Sequence, residues 1–307
     1  MKRKLIYLAS ILLFFTTVTY SQDAIAIDSN AIDTTVMAEA PENSSIVTES
    51  FAAIRVINNH SIEMIPKRSL EFIVAHKFGD LAGSAGGVPA WFGLDNLADV
   101  RIAFEYGLFK DINIGIGRSK GIGLLTQVVD GYFKYAILKQ RTSGMPISLT
   151  FVSAMSAPYR AKDSDSSSVT SWPTVAHRFI YTTQILVARK FSDRITLQMN
   201  VGYNHRNYVT YTDQNGLFFA GISGRYRFTK NLGFLFEYIH ILDRPSSVTY
   251  TNHLAVGFEI LTGGHAFALT FANSRGCTEN LFIPGTVENW AKGQFRFGFS
   301  INRRFKL

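Results

Sequence analysis

Cysteine occurs once in this chain of 307 residues, at Cys277, so the protein has no internal disulfide and its stability must come from elsewhere. Nothing around that lone thiol in the sequence points to a low-pKa setting, and it reads as incidental rather than catalytic. Prolines number only 8, and charged residues make up 18% against roughly 25% in an average soluble domain. No helix of ordinary length is legible after the N-terminus. What is plentiful instead is phenylalanine (25), tyrosine (13) and glycine (24), a mixture that favours strands.

The first residues, "MKRKLIYLASILLFFTTVTYSQ", pair the basic cluster Lys2, Arg3, Lys4 with an apolar run from Leu5 to Val18 and then the small Ser21. That is the layout of a secretory signal peptide over residues 1–21, too short for a membrane span, with cleavage expected between Ser21 and Gln22. Residues 22–50 carry Asp23, Asp28, Asp33, Glu39, Glu42 and Glu49 and no Lys or Arg. Rich in Ser, Thr and Ala and without a sustained apolar period, they read as an acidic flexible leader. The remainder is therefore more basic than the chain's total of +8 suggests.

From Leu70 onward the sequence alternates with period two. Strands are expected near 69–78, 98–108, 111–118, 128–139, 146–156, 177–190, 194–205, 216–228, 232–242, 250–261, 264–274 and 294–306, about twelve in all. One row of each is apolar: Val100, Ile102, Phe104, Tyr106; Ile195, Leu197, Met199, Val201; Phe297, Phe299, Ile301. The opposite row is small or polar, as in Thr196, Gln198, Asn200, Gly202.

Short links at 109–111, 139–146, 191–193, 228–231 and 261–264 alternate with longer ones at 79–97, 119–127, 157–176, 206–215, 243–249 and 275–293. In an up-and-down barrel every second link lies at the same end, so the long loops share one rim and the tight turns the other. This asymmetry, with strands of about 9–11 residues, matches an antiparallel up-and-down transmembrane β-barrel of the outer-membrane type. A soluble sandwich would show Lys and Glu on its wet row, where this chain has mostly Gly, Ala, Ser, Thr and Asn. The barrel domain is thus expected over 51–307, with 51–68 as a plug or a periplasmic segment.

Four stretches carry a family likeness: "INNHSIE" (57–63), "AHKFGD" (75–80), "FEYGLFKDINIGIGRSKG" (104–121) with "DGYFKYAILKQ" (130–140), and "NSRGCTENLFIPGTVENW" (273–290) with the terminal strand. Together they resemble the bacterial family of domain-of-unknown-function 5777 β-barrel proteins over roughly residues 51–307. The resemblance implies an exported β-barrel; the family offers no established activity and so transfers no catalytic residue.

Several groups could carry chemistry. "GIGRSKG" (115–121) has the glycines of a phosphate loop, but a strand follows where a helix would be needed, so the glycines read as wall positions facing a crowded lumen. His76, His205, His240 and His253 stand at strand ends beside long links and are the candidates for a rim metal or haem, against the blander reading of interfacial side chains. The lumen row is expected to hold Arg101, Glu105, Asp130, Lys134, Arg225, Arg227, Glu237, Glu259 and Arg296, of both signs. Charges in a confined interior must be paired or hydrated. They therefore form either a closing network or the lining of a narrow wet channel. The expected function is a narrow outer-membrane pore for small solutes; the alternatives are a closed barrel binding a ligand or partner at its outer rim, and an outer-membrane hydrolase. Expected partners are outer-membrane lipid and, during insertion, the barrel-assembly machinery, with a solute or protein partner unspecified and no nucleic acid. No catalytic residue or cofactor is assigned.

Overall fold

The computed structural model describes residues 45–245 and 247–307. The signal-peptide stretch and most of the leader, residues 1–44, lie outside them. Twelve strands form one closed antiparallel barrel in simple sequence order: β1 (Ser69–Phe78), β2 (Leu97–Phe109), β3 (Ile112–Ile122), β4 (Leu125–Leu138), β5 (Ser148–Pro158), β6 (Ile180–Lys190), β7 (Ile195–Arg206), β8 (Gly216–Arg227), β9 (Leu232–Ile241), β10 (His253–Leu261), β11 (His265–Ala272) and β12 (Arg296–Lys306). Closure is made by β1 on β12, in register from Ser69 opposite Lys306 to Lys77 opposite Gly298. No strand edge is left unpaired, which is the condition for strands to sit in lipid.

The period-two row decides which way each residue points. Its large apolar members face outward and stay uncovered, Ile116 at 65%, Met199 at 64% and Val201 at 59% exposure, while the opposite row is buried. Apolar surface of that extent, wrapped around a closed sheet, is a lipid face.

Two details differ from the sequence expectation. The β3–β4 link is not long: both strands extend toward each other and leave Gly123–Leu124 between them. Arg118 and Lys120 interrupt the apolar row at this point, although the chain is still paired, through Gly121–Thr126 and Ile122–Leu125. The strict alternation of long and short links therefore breaks once. The loop after β11 is also not an open surface loop, because it carries the helix α1 (Glu279–Gly285), whose residues Glu279 to Pro284 are all buried.

Two glycines of the "GIGRSKG" stretch do what wall positions facing a crowded lumen should do. A Cβ on Gly115 would lie 2.2 Å from the Tyr132 ring, and one on Gly117 would lie 2.8 Å from Arg101 Nη2. Their missing side chains make the space those two inward groups occupy.

Candidate functional site

The interior of the barrel holds more than the wall's own inward side chains. Two chain segments enter it from opposite ends.

The first comes from the tight-turn end. Residues 45–50, expected as the tail of a flexible leader, cross that end along the turns: Val47 N donates to Gln140 O at 2.8 Å, Lys190 Nζ to Thr48 O at 3.1 Å and Arg225 Nη1 to Glu49 O at 3.2 Å. The chain then turns inward at Phe51 and forms a small hairpin, with Ser61 N donating to Ile54 O and Val56 N to Asn59 O, each at 2.9 Å. It leaves again past Pro66, and Arg68 N donates to Gly107 O at 2.9 Å just before β1 begins. A Cβ on Gly107 would lie 2.1 Å from Pro66 O, so only glycine lets the chain pass so close to the wall.

The hairpin tip is held by wall side chains. Glu237 on β9 accepts the backbone N–H groups of Ile57, Asn58 and Asn59 at 3.0–3.3 Å, and His253 Nε2 lies 2.8 Å from its other side. A carboxylate met by three converging backbone donors is a strong, charge-assisted anchor. Asn59 and Gln184 exchange amide hydrogen bonds, Nε2 of Gln184 reaching Asn59 Oδ1 at 2.6 Å and Nδ2 of Asn59 reaching Gln184 Oε1 at 3.2 Å. Gln198 Nε2 donates to His60 O at 2.8 Å, Lys134 Nζ to Glu63 O at 2.5 Å, and Asn113 exchanges two bonds with the Ile65 backbone. Two apolar patches supplement these contacts, Phe51, Val56 and Ile62 against Val152, Leu186, Ala188 and Leu235, and Ile54 and Ile65 against Ile73 and Ala103.

The second segment comes from the long-loop end. Helix α1 reaches across the lumen to β3, β5, β6 and β7. Phe282 and Ile283 pack on Leu217, Phe219, Ile239 and Ile241, and Leu281 packs on Ile122 and Val128. Lys77 ties the preceding chain down, its Nζ donating to Ser274 Oγ at 2.9 Å and Gly276 O at 2.7 Å, while Asp99 accepts from Cys277 N at 3.0 Å.

The two segments meet at Glu279. Arg55 Nη1 of the hairpin donates to Glu279 Oε2 at 2.8 Å, and His60 Nε2 lies 3.1 Å from Oε1, though poorly aligned for a hydrogen bond. Burial alone would raise the Glu279 carboxyl, but the Arg55 guanidinium beside it holds it well below the usual carboxylate range. His60 sits as close to an acid as an ion pair would, yet burial, followed by the neighbouring Arg55 charge, pushes its pKa down to about 4. The desolvated site thus holds a neutral imidazole beside an Arg–Glu pair.

His60 also touches the wall, its ring 4.5 Å from that of Tyr132 in an edge-to-face arrangement. Tyr132 OH donates to Glu105 Oε2 at 2.6 Å, and Arg101 bridges Glu105, at 3.3 Å, and Asp130, at 2.6 Å. Of the remaining lumen residues, Arg225 pairs with Glu259 near the turn end, and Arg296 with Glu288 at 2.9 Å near the loop end. Arg227 lies partly buried at the mouth, 3.6 Å from the exposed Glu49.

The histidine candidates do not form a rim cluster. His76, on β1, lies in the outward row, its ring stacked on Phe299; His205 and His240 belong to the outward rows of β7 and β9. His253 is not a rim residue at all; it is buried in the lumen against Glu237 and Asn58. No group of three metal-ligating side chains is present among the described residues.

The sequence reading missed Arg55, Glu279, Asn59, Gln184 and Lys77, and did not single out His60 within the 51–68 segment. The one signal available was that "INNHSIE" is polar and aperiodic, unlike everything after it.

Among solved structures, the NanC porin matches with a TM-score of 0.44 and 8% identity, over 78% of this chain and 100% of its own. The KdgM porin matches at 0.44 and 7%, over 78% and 99%, and an outer membrane channel from Pseudomonas putida F1 at 0.40 and 12%, over 80% and 98%. No curated protein matches. The model of the membrane-bound β-barrel domain DUF5777 matches residues 51–305, from the first residue of the lumen hairpin almost to the end of β12, and the chain belongs to that family.

Proposed function

We propose that this protein is an outer-membrane barrel that passes small polar solutes only when its N-terminal hairpin leaves the lumen, with long loops facing the cell exterior and tight turns the periplasm. The observation that carries the reading is the manner in which the hairpin is held. Beside its two apolar patches, its tip and flanks are gripped by hydrogen bonds to Glu237, Gln184, Gln198, Lys134 and Asn113, all wall groups that water can satisfy once the hairpin withdraws. Both ends of the hairpin lie at the same mouth, so it can withdraw without threading. The wall charges Arg101, Glu105 and Asp130 are paired with one another, and would line the freed passage without being orphaned.

The test is planar-bilayer recording of the full chain beside a variant lacking residues 52–64. The wild type should be silent or open rarely, and the variant should conduct steadily. Silence from both would leave a closed barrel; equal steady conductance from both would show that the hairpin does not gate.

A further inference from the structure

The outward row of β3 runs Ile112, Ile114, Ile116 and then changes to Arg118 and Lys120. Arg118 stands in register between Ile102 of β2 and Val129 of β4, both exposed apolar residues, so its charge sits at the upper edge of the lipid-facing band. Its Nε donates to Tyr159 OH at 3.1 Å, which fixes the guanidinium against the barrel wall. Around the same chain segment, Arg160 Nη1 donates to Leu124 O at 3.2 Å, Lys120 Nζ to Leu97 O at 2.7 Å, and Arg178 Nη1 to Pro158 O and Arg160 O at 3.0 and 2.7 Å.

All of these contacts are to neutral oxygens. Among the described residues, none of the four cations is in an ion pair. Elsewhere on the outward face, cations at the turn end lie over aromatic rings of their own strands, Arg189 on Phe191 and Arg303 on Phe305. Of the ledge cations Arg178 likewise lies over a ring, 4.4 Å from the centroid of Trp172, which leaves Arg118, Lys120 and Arg160 as the ledge's uncompensated positive charge beside an apolar surface. Cations in such a place are stable when they reach anionic headgroups at the membrane boundary.

We infer that this ledge binds the phosphate group of an anionic glycolipid in the outer leaflet, with Arg118 and Arg160 as the phosphate donors, Lys120 adding charge, and the acyl chains lying on Ile102, Ile116 and Val129. The charge and the apolar strip are complementary to the two halves of one amphipathic molecule, which a free anion is not. The inference is independent of gating and rests only on the long-loop end facing outward.

Native mass spectrometry of the detergent-purified full chain tests it, using bisphosphorylated lipid A and its enzymatically dephosphorylated form as probes. The phosphorylated lipid should stay bound, and Arg118→Ala/Lys120→Ala/Arg160→Ala should bind it about a hundredfold more weakly, while Arg189→Ala/Arg303→Ala should bind as the wild type does. Unchanged heat-modifiable migration certifies folding of the triple variant; should it misfold, Arg118→Gln alone carries the test with a smaller loss. Equal retention of the two lipids, or equal binding by wild type and triple variant, overturns the inference. Displacement of the lipid by millimolar inorganic phosphate would overturn the lipid assignment in favour of a free-anion site. Because binding is measured in detergent, these outcomes do not depend on whether the barrel conducts.

Discussion

The two segments that fill the lumen are held in different ways. Helix α1, arriving from the loop end, is fastened by fully buried hydrocarbon, Phe282 and Ile283 on the inner faces of β8 and β9. The hairpin, arriving from the turn end, also buries Phe51, Ile54, Val56, Ile62 and Ile65, but it adds a dense set of hydrogen bonds and charge, with Glu237 at its tip and Glu279 at its side. Apolar contacts are lost outright on separation, whereas polar groups exchange one partner for water. The hairpin's polar contacts are the ones that the proposed gating would exchange for water.

The comparison breaks most visibly at Phe282. Phe282→Ala removes a fully buried ring and should cost about 3–5 kcal/mol, read as a large drop in the urea midpoint of the vesicle-inserted protein and as new trypsin cleavage at Arg275. A loss under about 1 kcal/mol would mean that α1 is not held by packing, and the proposed asymmetry would fail.

Next comes the junction. Glu279→Gln leaves Arg55 buried without its carboxylate, at a cost of about 3 kcal/mol. Because that cost falls on the contact between the segments, it should appear as faster amide exchange in residues 54–61 and more frequent channel openings, with global unfolding changed much less. Unaltered exchange in the hairpin would show that Glu279 does not hold it.

His60 sharpens the comparison through pH. Its pKa in the folded protein is about 4, below the value of about 6.5 expected of a free imidazole. The folded state therefore favours the neutral ring. The stability this contributes is complete above about pH 6.5 and is lost as pH falls toward 4, by up to about 3 kcal/mol. Hairpin exchange should accelerate and conductance rise between pH 6.5 and 4, and His60→Gln should flatten both profiles. A wild-type profile that stays flat through this range would refute the assignment of His60 as a buried neutral ring.

How much of this was legible in the sequence follows from the same physics. The barrel wall was, because lipid outside and chain inside force period two on every strand, and Phe297, Phe299 and Ile301 or Ile195, Leu197 and Met199 display it without reference to anything distant. The lumen contents were legible only as one of two readings of 51–68, a plug or a periplasmic segment. Residues 57–63 have no period of their own, and their burial exists only because twelve strands close around them. "ENLFIPG" is a seven-residue helix containing Pro284, too short for an apolar stripe to show. The charged row Arg101, Glu105 and Asp130 was visible as a row, but its pairing depends on register between β2 and β4, which no local pattern encodes. His253 was misplaced for a related reason: its position at a strand end was readable, but its inward direction depends on where β10 begins.

The smallest expected effect lies at the mouth. Arg227 meets Glu49 at 3.6 Å, but the Glu49 side chain is 74% exposed, so the pair is screened by water and salt. An exposed pair of this sort contributes about 0.2–1 kcal/mol, and Arg227→Ala should leave hairpin exchange and conductance close to wild type. Arg225, one residue row deeper, makes the useful contrast: both guanidinium groups donate to Glu49 O, at 3.2 Å from Arg225 and 3.4 Å from Arg227, but that of Arg225 is buried and pairs with the buried Glu259. Removing it orphans a buried carboxylate and releases the point where the leader turns inward, so Arg225→Ala should loosen residues 45–51 markedly. If the two variants behaved alike, the hairpin would be held by the general positive charge of the mouth rather than by these particular contacts, and the distinction between a gripped segment and a packed one would lose its basis at the turn end.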